Sequence, residues 1–103
     1  MGKPRSVLET LRAAYKYVAN RKTWTTGTFA RNQSGIGVSP CSKTAVKFCS
    51  LGALQKVDGP YQNAAEGRLY DAAQELFCST VVYVNDRKGR KATLAMWKRA
   101  LGE

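Results

Sequence analysis

Histidine is absent from the 103 residues of this chain. Without imidazole there is no Ser-His or Cys-His catalytic pair, and a first-row metal site would lose its commonest ligand. Cysteine is scarce and odd in number, because Cys41, Cys49 and Cys78 are the whole set and show no Cys-x-x-Cys spacing. That pattern predicts reduced thiols rather than a disulfide framework or a zinc site. We therefore expect neither a metal nor a cofactor.

Long apolar runs are also missing from the sequence. No stretch of about 18 apolar residues occurs, which argues against a membrane-spanning helix. Residues Met1–Arg5 lead into an amphipathic segment rather than the apolar core of a secretory signal. We therefore expect a cytoplasmic protein with no membrane partner. The composition, 44% hydrophobic and 23% charged, predicts a single small basic domain over residues 1–103.

Acidic residues are few, since seven Asp and Glu stand against 17 Lys and Arg and leave a net charge of +10. A charge of this size favours an anionic partner, either nucleic acid or an acidic protein surface. The cations gather in the first predicted helix and near the C-terminus, and they form one basic face if those segments pack side by side. The candidate binding residues are Arg12, Lys16, Arg87, Lys88, Arg90, Lys91 and Lys98. The alternative is a solvated surface that only aids solubility.

The first helix is predicted from a capping box at Ser6 and Glu9, in which each side chain satisfies the backbone donor of the other residue. The apolar residues that follow recur at helical spacing and form one stripe, leaving Arg12 and Lys16 outward. We expect this helix to end near Asn20. The stripe consists of Val7, Leu11, Ala14 and Val18.

The helical period is lost between residues 24 and 38, where threonines raise the strand propensity. Asn32–Gly35 has the composition of a turn. We therefore predict a short β-hairpin in which Phe29–Arg31 pairs with Ile36–Val38. Ser39 and Pro40 should end it.

A helix over residues 42–57, capped by Ser42, is predicted at the centre of the fold, because its sequence is apolar nearly all round. Gly52 and Ala53 should let another segment approach it closely. Two more helices are predicted over Asn63–Phe77 and Ala92–Leu101. Thr80–Val84 favours a strand, although an apolar end of the preceding helix is the alternative. The fold class is thus α+β and mainly helical, with about four helices around the 42–57 helix and a hairpin at 24–38.

Several short motifs resemble a family of small uncharacterised domains found in phages and bacteria. The motifs are Trp24-x-x-Gly27 with Phe29-Ala30-Arg31, Phe48-Cys49-x-x-Gly52-Ala53-Leu54, Asn85-Asp86, Gly89-Arg90 and Arg99-Ala100. The match runs from about residue 7 to residue 101. The resemblance implies a shared architecture and a phage-like origin, and it implies no activity.

Three residue sets have a functional and a structural interpretation. Cys49 is a nucleophile if Asn85 and Asp86 assist it, but its apolar helical setting favours core packing. Asn85 and Asp86 together are too few for a metal site and favour bracing of a turn. The two tryptophans, Trp24 and Trp97, lie beside apolar residues, which favours packing over stacking on bases.

Three functions from different classes follow. The first is a non-enzymatic, phage-type accessory module that contacts nucleic acid through phosphate charges. The second is a phage-encoded inhibitor, acting against host defence or in host takeover, that binds a host protein. The third is a cysteine-dependent enzyme. We expect a binding module rather than an enzyme, with nucleic acid as the anion.

Overall fold

The computed structural model describes residues 6–59 and 64–103. Helices dominate it and one small antiparallel sheet accompanies them, so the predicted mainly helical α+β class is confirmed. In chain order the elements are α1 (Val7–Ala19), β1 (Ala30–Arg31), β2 (Lys47–Phe48), α2 (Ser50–Asp58), α3 (Ala64–Phe77), α4 (Val81–Tyr83), a π-helical turn (Val84–Lys88) and α5 (Arg90–Ala100).

Helix α1 begins as predicted. The Ser6 hydroxyl accepts from the Glu9 amide at 3.1 Å, and a Glu9 carboxylate oxygen accepts from the Ser6 amide at 3.2 Å. Leu11, Ala14 and Val18 of the apolar stripe are buried, and Val7 is partly buried. The helix packs along α2, and Tyr15 lies against the Trp97 ring of α5. The amphipathic period of the sequence is therefore sufficient to place α1 on the core.

The predicted hairpin is correct in its turn and wrong in its main pairing. The turn at Asn32 is present, because its side-chain oxygen accepts from the amides of Ser34 and Ile36. Only one bridge, Arg31 with Gly37, joins the two predicted arms in the described residues. The ladder instead pairs β1 with β2, Ala30 opposite Phe48. Burial explains the outcome, since Phe48 is 2% exposed whereas Ile36 is 62% exposed.

The predicted start of the central helix at residue 42 is wrong. Residues 42–44 form a bend and a turn, residues 45–46 have no regular secondary structure, Lys47–Phe48 is strand β2, and α2 begins only at Ser50. Cys49 is the N-cap, and its sulfur accepts from the Gly52 amide at 3.3 Å. Cysteine is not among the preferred capping residues, so the pattern pointed to Ser42 instead. The end of the helix before Gly59 agrees with the prediction.

Close approach at Gly52 is confirmed. A Cβ built on Gly52 would lie 1.8 Å from the Phe29 carbonyl oxygen, which no real side chain tolerates. The same oxygen accepts from the Cys49 amide at 3.1 Å. The loop before β1 is thereby pressed onto the first turn of α2, and only glycine leaves room for it.

Residues 81–84 are helical and Thr80 is their N-cap, so the predicted strand over Thr80–Val84 is wrong. The Thr80 hydroxyl accepts from the Tyr83 amide, and Val81 starts a helical turn. Val81 and Val84 are buried while Val82 and Tyr83 are exposed, which is a spacing of three rather than the alternation of a strand. Packing therefore overrides the β-branched propensity of this segment.

The last two long helices agree with the prediction within two residues at the ends that are described. Helix α3 ends at Phe77, and its predicted start at Asn63 lies outside the described residues. Helix α5 begins at Arg90 rather than at residue 92 and packs against α3. The Trp97 side chain is fully buried. The connection from α3 to α5 through the π-helical turn is the part of the fold that forms the site described next.

Candidate functional site

The π-helical turn has an inner and an outer side. Asn85 on its inner side is 1% exposed, whereas Arg87 and Lys88, two and three residues later, are exposed. A π-helical turn is rare and often marks a functional segment. Gly89, with φ of 93°, ends the turn and starts α5.

The inner side is a closed hydrogen-bond network centred on Asn85. Its side-chain oxygen accepts from Trp24 Nε1 at 2.9 Å, from the Ser50 amide at 3.1 Å and from the Ser50 hydroxyl at 2.7 Å. Its amide nitrogen donates to the Thr25 carbonyl and to the Asp86 carboxylate. Asn85 therefore joins the loop before β1, the start of α2 and the π-helical turn.

Trp97 completes this network from α5. Its Nε1 donates to the Ser50 hydroxyl at 2.9 Å, and that hydroxyl donates in turn to Asn85. Every buried side-chain nitrogen and oxygen of the described residues has a partner. A satisfied buried network fixes one arrangement of the chain. The geometry therefore agrees with the predictions that Asn85 braces a turn and that the two tryptophans pack within the fold.

Cys49 lies close to this network and is not set up as a nucleophile. Its side chain is 7% exposed, and burial raises the pKa of the thiol, with a smaller contribution from the negative charge of Asp86. A reactive cysteine needs the opposite, a lowered pKa and access to solvent. The set Cys49, Asn85 and Asp86 thus serves as packing, helix capping and bracing in this fold.

The outer side of the turn combines a cation with two aromatic rings. The Lys88 ammonium lies 5.5 Å from the centre of the Phe77 ring and 5.9 Å from that of the Tyr83 ring. Tyr83 and Lys88 are five residues apart, the spacing that one π-helical turn brings onto the same face. The Tyr83 side chain is 52% exposed. The three side chains together form an accessible aromatic and cationic surface.

A groove of about 350 Å³ adjoins this surface. Phe77 forms one wall, and Lys88 and Lys91 line it with their long side chains. The short side chains of Ala92 and Ala95, on α5, leave the space open. We call this site, Phe77, Lys88, Lys91, Ala92 and Ala95, the α3–α5 groove.

Two turns of the backbone bring the walls of the groove together. Cys78, directly after α3, has a left-handed conformation with φ of 49°, which reverses the chain at the helix end. Thr80 then caps α4. The π-helical turn thus returns over the end of α3, so that Lys88 reaches Phe77.

The structure separates the seven predicted binding residues. Lys88 and Lys91 share the groove, and Arg87 is exposed in the adjoining turn. Lys98 is exposed seven residues beyond Lys91, about 10 Å farther along α5. Arg90 differs from all of these because its guanidinium is engaged in hydrogen bonds within the chain.

Arg90 binds the end of α1. It donates to the carbonyls of Val18 and Ala19, and its guanidinium lies 5.3 Å from the centre of the Trp24 ring. The last carbonyls of a helix lack partners within the helix, and a cation there is favourable. Arg90 is therefore part of the scaffold that joins α5 to α1.

Arg12 and Lys16 are exposed on α1. Lys16 lines a smaller groove of about 170 Å³ together with Lys56 of α2. The Lys16 ammonium also lies 5.6 Å from the centre of the Tyr17 ring on the same helix. Lys16 thus belongs to a different groove, and the role of both residues in binding stays a prediction.

Two more arginines serve the scaffold. Arg68 donates to the Ala100 carbonyl at the end of α5, and Arg31 donates to the Thr26 carbonyl in the loop before β1. The planar, multidentate guanidinium suits this clamping of carbonyls better than a lysine does. The net charge of +10 therefore overstates the number of cations whose donors are free for a partner.

A different groove, which is also lined by residues of α3 and α5, has a volume of about 310 Å³ and carries both positive and negative charges. Asp71, Glu75, Arg68 and Arg99 line it, and Arg99 forms an ion pair with Glu75 at 2.8 Å. Its charges largely compensate one another. The α3–α5 groove, whose charged lining residues are both lysines, is the more favourable site for an anion.

Tyr83 was missed by the sequence analysis as a surface residue, because it was assigned to a strand. Phe77 was assigned to the apolar side of its helix, which agrees with its partial burial against the core. The signal that could have found Tyr83 is its spacing of five residues from Lys88, but that spacing is meaningful only in a π-helical turn. No periodicity of 3.6 or 2 reveals it.

Fold and site together define a small, mainly helical basic domain with a buried polar network and an exposed aromatic and cationic groove. The chain belongs to the Family of unknown function (DUF6197), whose family model matches residues 2–103. No curated protein and no solved structure gives a match. Over residues 6–59 and 64–103, no helix has the length and apolar character needed to cross a membrane, and no group of three acidic or cysteine side chains is arranged to hold a metal ion.

Proposed function

We propose that this protein is a non-enzymatic, cytoplasmic module that binds nucleic acid through its phosphates. The observation that supports this best is the pair of lysines, Lys88 and Lys91, lining a groove beside the partly buried Phe77 ring and the exposed Tyr83 ring. An ammonium carries three donors, so Lys88 can lie over the rings and still donate to a phosphate oxygen. Arg87, exposed and next to Lys88 in the chain, supplies a third cation close to the groove.

The charge of the whole chain supports the same partner. A net charge of +10 attracts a polyanion over a distance of about one Debye length, before any contact forms. Lys98, Arg12 and Lys16 would add contacts only if the bound strand extends beyond the groove. Their contribution is therefore expected to be smaller than that of Lys88 and Lys91.

The non-enzymatic part of the proposal is supported by the setting of Cys49. Its burial and raised pKa oppose the formation of a thiolate. The chain has no histidine that could act as its base. A role as an accessory protein of a phage rests on the motif resemblance alone and stays a prediction.

The dependence of affinity on salt tests phosphate binding. With Arg87, Lys88 and Lys91 as three contacts, log K against log salt should have a slope of about −2 on single-stranded DNA, measured by fluorescence anisotropy. Affinity should then fall about 20-fold between about 50 and 200 mM salt. An affinity that is independent of salt would contradict the proposal.

A matched pair of variants localises the contacts. Lys88→Gln with Lys91→Gln removes both lysines of the groove, and should lower affinity about tenfold and flatten the slope to about −0.7. Lys43→Gln with Lys47→Gln removes the same charge from exposed positions in and before β2. Equal losses in the two double variants would mean that net charge, and not the groove, determines binding.

A host protein with an acidic surface is the second candidate, because apolar side chains accompany the lysines in the groove. Complementary charge across a protein interface gives specificity and rapid association. A pull-down from nuclease-treated lysate should lose all partners if nucleic acid is the ligand. Retention of one stoichiometric protein, lost in the Lys88→Gln Lys91→Gln variant, would favour the inhibitor.

A further inference from the structure

We propose that the α3–α5 groove takes a nucleobase from a single-stranded nucleic acid, with the base against Phe77 and the neighbouring phosphates on Lys88 and Lys91. This inference rests on the proposed function and names the form of nucleic acid that the same site selects. It concerns the apolar part of the groove, which phosphate binding alone does not use.

The lining of the groove is the first argument. Ala92 and Ala95 reduce the α5 wall to two methyl groups, and the resulting space is about 350 Å³. Pockets for small ligands begin at about 300 Å³. A phosphate is fully satisfied by cations and amides and gains nothing from such an apolar surface. A flat group with an apolar face does gain from it.

The aromatic rings are the second argument. Phe77 is part of the groove, and Tyr83 adjoins it through their shared contact with Lys88. Aromatic side chains next to cations are the usual platform for the bases of single strands. In a duplex the bases are stacked on each other and their faces are covered, so the groove discriminates against a duplex.

The placement of the charges is the third argument. Lys88 and Lys91 lie on the two sides of Gly89, where the chain passes from the π-helical turn into α5. Both line the apolar space. A nucleotide combines one apolar face with phosphates on both sides, so its chemistry matches the whole lining of the groove. An acidic peptide matches the charges, but it offers a planar face to Phe77 only where it carries an aromatic side chain.

Base recognition is tested with two oligonucleotides of equal length and charge, oligo-dT and an oligonucleotide of abasic sites. Anisotropy titrations of the wild-type protein at one salt concentration should give at least about fivefold tighter binding of oligo-dT. Equal affinity for the two would overturn the inference and leave phosphate binding intact. Failure to bind either one would overturn the proposed function as well.

A variant with a filled groove tests the same inference, and a second alanine-to-leucine variant outside the groove is its matched control. Ala95→Leu introduces a good helix former at an exposed position without changing the charge, and it should abolish the preference for oligo-dT over the abasic strand. Ala64→Leu, at an exposed position at the start of α3, should retain the preference. A preference that survives in Ala95→Leu would overturn the inference.

Phe77→Leu gives a second, independent variant. Leucine keeps apolar packing against the core and removes the ring, so the fivefold preference should shrink while the salt slope stays near −2. A circular dichroism melt confirms that the variant is folded. An acidic peptide with one apolar side chain that binds more tightly than oligo-dT, and is lost in Ala95→Leu, would overturn the assignment of a base.

Discussion

Asn85 and Lys88 lie three residues apart in one π-helical turn and have opposite surroundings. Asn85 is buried and uses its side-chain oxygen and its amide nitrogen in hydrogen bonds within the chain. Lys88 is exposed and rests on two rings. The inner side of the turn therefore specifies the fold, while the outer side offers unused donors. A change on either side should affect mainly one property, stability or binding.

The arginines and lysines divide in the same way. Arg31, Arg68 and Arg90 each donate to backbone carbonyls of the fold. Lys88 and Lys91 line an open groove. Basic residues in this chain thus have two separate roles, and a count of charges does not distinguish them.

The largest expected effect is in the scaffold around the turn, at Gly52 of α2. Gly52→Ala places a methyl group on the Phe29 carbonyl, so the loop must move and the free energy of unfolding should fall by about 3 kcal/mol or more. Urea unfolding followed by circular dichroism measures it. A loss below about 1 kcal/mol would show that the loop is not held against α2.

Gly67→Ala is the control for that substitution. Gly67 lies within α3, and a Cβ there meets no atom within 4 Å. The variant should gain up to about 1 kcal/mol of stability, because alanine is the better helix former. The two glycines thus separate a steric requirement from a general effect of glycine in helices.

Asn85→Ala should be next in size. It leaves the Ser50 amide and Trp24 Nε1 without their acceptor, at a cost of about 2–3 kcal/mol in the free energy of unfolding. The exposed Gln33→Ala should change it by less than about 0.5 kcal/mol. The same urea series measures both variants. If Asn85→Ala left the free energy of unfolding unchanged, the inner side of the turn would not stabilise the fold and would not differ from the outer side.

Substitutions on the outer side of the turn should change the free energy of unfolding only slightly. Lys88→Gln removes cation–π contacts at an exposed site, which should change the free energy of unfolding by no more than about 1 kcal/mol. Its affinity for single-stranded DNA should fall nonetheless. A variant that unfolds instead would mean that Lys88 belongs to the scaffold.

The smallest effect should appear only at alkaline pH, at Cys49. Because the pKa of this thiol is raised in the folded protein, the folded state retains the proton longer than the unfolded state does. Its contribution to stability is complete below the ordinary thiol value of 9.0 and is lost as the pH rises from there through the raised pKa. Urea unfolding at a series of pH values over this range should show the free energy of unfolding falling as the pH rises.

Cys49→Ser is the control for that pH dependence. Serine is a good N-cap, and its hydroxyl can accept from the Gly52 amide without titrating in this range. The alkaline decline should therefore be smaller in the variant than in the wild-type protein. An identical decline in both would assign it to other groups.

Local patterns in the sequence were enough to predict much of the scaffold. The capping box of Ser6 and Glu9 and the apolar stripe behind it depend on neighbours in the chain, and α1 follows them. The close approach at Gly52 was also predictable, because glycine weakens a helix and is favoured there where a neighbouring segment needs the space of a side chain. Contacts within about four residues are those that sequence patterns describe best.

The rest depends on distant contacts. Strand β1 selects β2 over its nearer partner because Phe48 fills the core. Residues 81–84 become helical because Val81 and Val84 are buried together. The basic residues were found as a group, but only the packing of α5 on α1 and α3 shows that Arg90 binds the end of α1 and that Lys88 and Lys91 share a groove.

The most direct test of the central claim is a ¹H–¹⁵N correlation spectrum of the labelled protein titrated with oligo-dT. Binding at the outer side of the turn should shift the amide signals of residues 77, 83, 87, 88 and 91–95, while those of the β1–β2 sheet stay in place. Shifts centred on the sheet, or no shifts at saturating oligonucleotide, would contradict the account.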